Sequence, residues 1–184
     1  MSAAAENGAA RGSAVLDGAE ATHAVGLALG QTLPAGACLA LEGDLGTGKT
    51  TLVRGLAEGL GIDGVSSPTY VLMQAHPGGR LPLYHFDAWM EGREKALLAG
   101  GGDEDLARAD GIAVVEWASR VEEWLPLPRL RVTLEHRTLE SRGLRLELLT
   151  TPGEASDPLA AGLLASLQDA LRAAGSPPDS PGRP

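Results

Sequence analysis

Apolar positions along the chain follow two periods in turn, and this pattern predicts short strands alternating with helices. Residues 19–32 are mostly small and are followed by Pro34 and Gly36, which predicts a helix closed by two helix-breaking residues. Residues 39–41 form a short apolar run entering a glycine-rich segment, as a buried strand does. Leu52, Leu56 and Leu60 stand four apart and define one face of a helix over residues 50–60. Residues 70–74 and 81–86 predict two strands around the turn Pro77-Gly78-Gly79. After a charged, helix-prone stretch at 93–109, residues 112–115 predict a further apolar strand. Residues 130–136 and 144–149 alternate apolar and polar side chains, which predicts an antiparallel hairpin. The order predicts an α/β fold, a single domain whose mixed β-sheet is flanked by helices. No internal repeat is present.

The ends read differently. Residues 1–14 are mostly Ala, Gly, Ser and Glu without an apolar period and predict a flexible N-terminal arm ahead of a domain at 15–150. Within a C-terminal extension at 151–174, Leu159, Leu163, Leu164, Leu167 and Leu171 fall at helical spacing, so an amphipathic helix is expected to pack on the domain. Residues 175–184 hold four of the chain's 12 prolines and predict a disordered tail.

Composition narrows the classes. Of 184 residues 43% are hydrophobic, enough for a core, but only 3% are aromatic, so Leu, Val and Ala must fill it. A net charge of −9 argues against direct, sequence-independent binding of nucleic acid, which needs a basic footprint. The single cysteine, Cys38, excludes an internal disulfide and a cysteine-rich metal site, and its apolar neighbours predict an inert core thiol. No charged-then-apolar leader and no run of about 20 apolar residues is present, so a cytoplasmic protein without a membrane segment is expected.

The glycine-rich segment carries the chemistry. Gly43-Asp44-Leu45-Gly46-Thr47-Gly48-Lys49-Thr50 fits G-x-x-x-x-G-K-[ST], with an apolar strand before it and an amphipathic helix after it. Glycines let the backbone point several N–H groups at phosphate oxygens, and the following helix adds its positive end. Lys49 is placed to reach the β- and γ-phosphates, and the Thr50 hydroxyl to bind Mg2+. Only two of 15 basic residues are lysines, yet one stands at this position. The segment is therefore a P-loop, and the fold is of the P-loop NTPase type. A guanine-reading N-K-x-D segment is impossible here, because the only asparagine is Asn7; ATP is the expected nucleotide.

Two carboxylates end apolar strands downstream. Glu116 follows Ile112-Ala113-Val114-Val115 and Asp87 follows Leu83-Tyr84-His85-Phe86. Either position suits a Walker-B acid that binds magnesium or orients the attacking water. Ser66-Ser67-Pro68-Thr69-Tyr70 is a stiffened, hydroxyl-rich loop of the kind that senses a γ-phosphate. His85 reads as a structural imidazole beside the sheet, and Trp117 as packing or as a wall of the nucleotide pocket.

Taken together, the P-loop extended to Thr51, then Ser67-Pro68-Thr69-Tyr70, then Tyr84-His85-Phe86-Asp87, then Val115-Glu116-Trp117, resemble the TsaE family over about residues 18–150. The resemblance implies an Mg-dependent ATPase required for threonylcarbamoyladenosine in tRNA. Its partners would be the TsaD and TsaB proteins, with tRNA reached only indirectly through that complex. It would bind and slowly hydrolyse ATP without transferring the threonylcarbamoyl group. It further implies Lys49, Asp87 and Glu116 as hydrolytic residues, and Thr50 and Glu116 as metal ligands. Thr69 would lie in a switch loop and Trp117 beside the nucleotide. One departure is clear: the family continues His-x-Asp-x-Tyr-Arg, whereas this chain reads His85-Phe86-Asp87-Ala88-Trp89-Met90 and lacks that guanidinium. A small-molecule P-loop kinase is the alternative enzyme, disfavoured by the absence of an arginine cluster at 93–108. A binding module with incidental hydrolysis is the non-enzymatic alternative.

Overall fold

A computed structural model describes residues 7–65, 73–89, 106, 109–151 and 157–175. Seven strands form one sheet: β1 (Asn7–Asp17), β2 (Cys38–Glu42), β3 (Met73–His76), β4 (Leu83–Asp87), β5 (Ile112–Glu116), β6 (Arg129–His136) and β7 (Ser141–Thr150), in the spatial order β1-β7-β6-β2-β5-β4-β3. The central strands β6, β2, β5 and β4 are parallel, and β3, β7 and β1 add antiparallel edges. Helices α1 (Gly18–Thr32), α2 (Lys49–Leu60) and α3 (Pro158–Ala173) complete the described elements, with two short 3-10 turns after β5. The mixed sheet, the β6–β7 hairpin and the C-terminal helix match the sequence pattern.

Period-two alternation splits the core. Leu39, Leu41, Leu83, Ile112 and Val114 face the three helices, while Cys38, Ala40, Tyr84, Phe86, Ala113 and Val115 face the other side with Val121 and Leu125. α3 is capped by Asp157, which accepts the Leu159 N–H at 2.8 Å, with Pro158 in the first turn. Leu163, Leu167 and Leu171 are then buried in the helix-side core, so the helix packs on the domain as expected.

The N-terminal arm expected over residues 1–14 is a strand from Asn7 onward. β1 pairs antiparallel with β7, Ala14 opposite Leu144 and Asp17 opposite Ser141. Ala14 and Leu16 enter the core, and a Cβ on Gly12 would lie 2.2 Å from a Leu171 methyl. Small residues let α3 lie close against this strand, and their smallness hides the apolar alternation. Residues 1–6 and 176–184, most of the predicted tail, are outside the described residues.

α1 and α2 approach at backbone distance. A Cβ on Gly26 would stand 2.0 Å from the Leu52 carbonyl and one on Gly30 2.1 Å from that of Leu56. In return, Gly55 and Gly59 face the carbonyls of His23 at 2.1 Å and Leu27 at 2.3 Å. Glycines four apart on both helices thus interlock, bringing the helix that follows the P-loop close against α1. Arg80 closes the far end of α1, donating to the carbonyls of Gly30 at 2.9 Å and Leu33 at 2.6 Å.

Two predictions follow from this packing. Gly26→Ala gains about 1 kcal/mol of helix propensity but meets a carbonyl that no side-chain rotation can move. The helices must separate, and a net loss of about 2 kcal/mol in urea unfolding is expected. Burial pushes the Cys38 thiol up to about 12, against the pull of the nearby Arg129 charge. A thiol reagent at pH 8 should therefore label Cys38 only as the protein unfolds, and rapid labelling of the native chain would contradict its burial.

Candidate functional site: a phosphate loop beside two buried carboxylates

The sheet register assembles the site. β2 delivers the P-loop at its C-terminal end, and its ladder with β5 pairs Leu41 with Glu116. The next ladder pairs Glu116 with Asp87. Two carboxylates therefore stand side by side where strands β5 and β4 end, beside the loop. Period two also puts His85 and Asp87 on the face of Leu83, and Glu116 on that of Val114, which is the helix side.

Three loop glycines adopt positive φ: Gly43 at 137, Gly46 at 76 and Gly48 at 107. Gly43 is also sterically fixed, since a Cβ there would lie 2.3 Å from the Leu134 carbonyl. Gly48 caps α2, so the N-terminus of that helix and its unpaired N–H groups open on the loop. Thr47 is buried and donates its hydroxyl to the Asp44 carbonyl at 2.9 Å, bracing the turn.

Lys49 is 5% exposed. Its Nζ donates to the carbonyls of Gly43 at 2.6 Å and Asp44 at 3.0 Å, and lies 3.8 Å from the Trp117 ring centroid. Burial lowers its pKa, while the surrounding acids, Glu116 foremost, push it back up. Asp87 and Glu116 are both buried. Asp87 accepts the Trp89 N–H at 2.9 Å. Glu116 takes a hydrogen bond from Nε2 of the fully buried His85 at 3.0 Å, and Nδ1 of that ring has no partner among the described residues. Among the described residues, each carboxylate is thus anchored through one oxygen. His85 is the structural imidazole the sequence pattern suggested, and what it holds is an acid of the site.

A cleft of 380 Å³ joins these groups: Gly46, Gly48, Lys49, Thr50 and Thr51 from the loop and α2, Asp87 and Glu116 from the strands, and Trp89 and Trp117 as an aromatic wall, with Leu45 at the rim. The sequence-predicted residues therefore converge, apart from Thr69, which lies outside the described residues along with the rest of its loop and Met90. Gly43 and Asp44 contribute their carbonyls to Lys49 rather than lining the cleft. Thr47 faces a second hollow of 220 Å³ beside the loop, which Gly18, Thr22, Glu140 and Arg142 also line. There the β6–β7 hairpin closes on the P-loop, with a His136 Nε2 hydrogen bond to the Leu45 carbonyl at 3.1 Å. The sequence predicted that hairpin but held no sign that its tip would fold over the loop. Thr22, His136 and Arg142 were accordingly not foreseen.

A loop of inward N–H groups, a lysine, a hydroxyl and two carboxylates can hold a polyphosphate and a hard cation. Residues 16–144 match the model of the family described as threonylcarbamoyl adenosine biosynthesis protein TsaE. The chain belongs to the TsaE family. It is 41% identical over 123 residues to the tRNA threonylcarbamoyladenosine biosynthesis protein TsaE of Bacillus subtilis, covering 62% of this chain and 75% of the relative. To the protein of that name from Streptomyces coelicolor it is 42% identical over 120 residues, covering 60% and 76%. To that of Treponema pallidum it is 37% identical over 122 residues, covering 66% and 87%. The crystal structure of Bacillus subtilis YdiB superposes with a TM-score of 0.65 at 29% identity, covering 84% of this chain and 95% of that one. TsaE membership sets the kinase alternative aside.

The His85–Glu116 bond yields a prediction. His85→Leu strands a buried carboxylate and should lower unfolding stability by about 1–3 kcal/mol. His85→Gln, which keeps an N–H donor, should recover part of that loss in the same urea titration; equal losses would show that only ring packing matters.

Proposed function

We propose that this TsaE-family protein binds ATP with magnesium on the P-loop, hydrolyses it slowly, and thereby serves the TsaD–TsaB complex that modifies tRNA with threonylcarbamoyladenosine. It would not carry out the transfer itself. The observation that supports this most is the meeting of Lys49, Thr50, Asp87 and Glu116 in one cleft, in a chain of this family.

The residues present suit magnesium. Among the described residues no group of three or more His, Cys, Asp or Glu encloses an ion, but magnesium is usually held by one or two carboxylates, phosphate oxygens and water. Glu116 ends the strand next to the P-loop strand, so Glu116 and the Thr50 hydroxyl are the ligands this reading assigns. When bound, the ion would neutralise charge developing on the phosphates. Lys49 would exchange the carbonyls of Gly43 and Asp44 for phosphate oxygens, and its low exposure strengthens that attraction. Asp87, one strand further out and fixed by the Trp89 amide, would orient the attacking water through its other oxygen. The hollow beside Thr22 and Arg142 is the place this reading gives to the base and ribose.

A net charge of −9 agrees with reaching tRNA through partners. Among the described residues no helix is long and apolar enough to cross a membrane, and the reading places the protein in the cytoplasm.

The test is nucleoside mass spectrometry of tRNA from cells depleted of the protein. Threonylcarbamoyladenosine should fall, recover with the wild-type chain and stay low with Lys49→Ala; undiminished modification after depletion would reject the role. In a purified ATPase assay Asp87→Asn should reduce turnover about 100-fold or more with little change in nucleotide affinity. If Asp87→Asn nevertheless restored the modification in cells, the protein would act as a nucleotide-dependent binding module.

A further inference from the structure

β5 leaves the sheet at Trp117, where the backbone turns to φ 60 and ψ 41. Among the described residues this is the only non-glycine with positive φ. An aromatic residue disfavours that conformation, which persists only where its surroundings over-determine it. Restraints are visible on both sides. On the ring side, the indole lies 3.8 Å from Lys49 Nζ and its centroid 4.2 Å from that of Trp89.

On the backbone side, Ser119 donates its amide to Glu42 Oε1 and its hydroxyl to Oε2, the latter at 3.1 Å. The Ser119 amide lies in the 3-10 turn Ala118–Arg120, near its start, where N–H groups find no partner within the turn. Glu42 is the last residue of β2, and the β2–β5 ladder ends at Leu41 and Glu116. Its carboxylate therefore takes over at the level where backbone pairing stops. Burial raises the Glu42 carboxyl above its usual range, and the two Ser119 bonds pull it back. Neither Glu42 nor Ser119 lines the cleft, so apart from the direct pull of the Glu42 charge on Lys49, an effect on a ligand must pass through Trp117.

We propose that Glu42 is a positioning residue: its clasp on Ser119 holds the Trp117 turn left-handed and so keeps the indole as the wall against Lys49 and the phosphates of a bound nucleotide. The structural half of this inference stands on geometry, and the functional half rests on the nucleotide reading given above.

The experiment uses the full chain labelled with 5-fluorotryptophan, whose three tryptophans give three fluorine resonances, that of Trp117 identified by Trp117→Phe. Glu42→Ala should shift or broaden the Trp117 resonance, and Ser119→Ala should produce a smaller change in the same direction. A fluorescent ADP analogue with magnesium should bind Glu42→Ala about tenfold more weakly, with Glu42→Gln intermediate because it keeps an acceptor for the Ser119 amide. In a Trp117→Ala background Glu42→Ala should cause no further loss. An unmoved Trp117 resonance, or an equal loss of affinity with and without Trp117, would overturn the proposal. Failure of the wild-type chain to bind the analogue would instead overturn the nucleotide reading and the functional half with it, and the resonance would still decide the clasp.

Discussion

The parallel ladder β2–β5–β4 is the constraint on which the rest depends. It ends the P-loop strand and the two acid-bearing strands at one level, with Leu41 beside Glu116 and Glu116 beside Asp87. Because side chains alternate along a strand, slipping β5 by one residue would turn Glu116 to the opposite face and break the site. The register is held by size as well as polarity. Ile112 and Val114 fill the helix side, whereas the smaller Ala113 lies with Tyr84 and Phe86 on the other. The same geometry opens the helix N-terminus of α2 at the carboxyl ends of the strands, where open α/β sheets bind ligands.

Around that frame the protein gathers charge in a small volume. Lys49, Asp87 and Glu116 are all buried in a chain whose net charge is −9. Each is held by a short-range partner: loop carbonyls for Lys49, the Trp89 amide for Asp87 and His85 for Glu116. Buried charges without such partners would be too costly to keep ionised. These partners also fix the groups in place, and a buried lysine attracts a bound anion more strongly than an exposed one would. The strained backbone at Trp117 belongs to the same arrangement, since it brings an aromatic wall over the lysine.

Much of this was legible in the sequence. The P-loop carries its own signature, and the apolar runs before Asp87 and Glu116 revealed strands ending in acids. Leu159, Leu163 and Leu167 announced α3 through their spacing. Three features were hidden for physical reasons. β1 alternates Ala10, Gly12, Ala14 and Leu16 inward, and side chains this small resemble a flexible arm. The α1–α2 interlock depends on glycines at 26, 30, 55 and 59, whose four-residue spacing is visible but whose facing is a tertiary fact. The Glu42–Ser119 clasp joins residues 77 positions apart, and no local pattern announces it. The second hollow was missed because nothing in a hairpin's alternation tells where its tip will rest.

The most direct measurement is a crystal structure of the protein grown with magnesium and a non-hydrolysable ATP analogue. The triphosphate is expected in the P-loop, with Lys49 Nζ moved from the Gly43 carbonyl to phosphate oxygens, magnesium touching Thr50 and Glu116, and Asp87 facing the γ-phosphate. A nucleotide bound elsewhere, or a triphosphate in the loop with both carboxylates turned away from it, would contradict it.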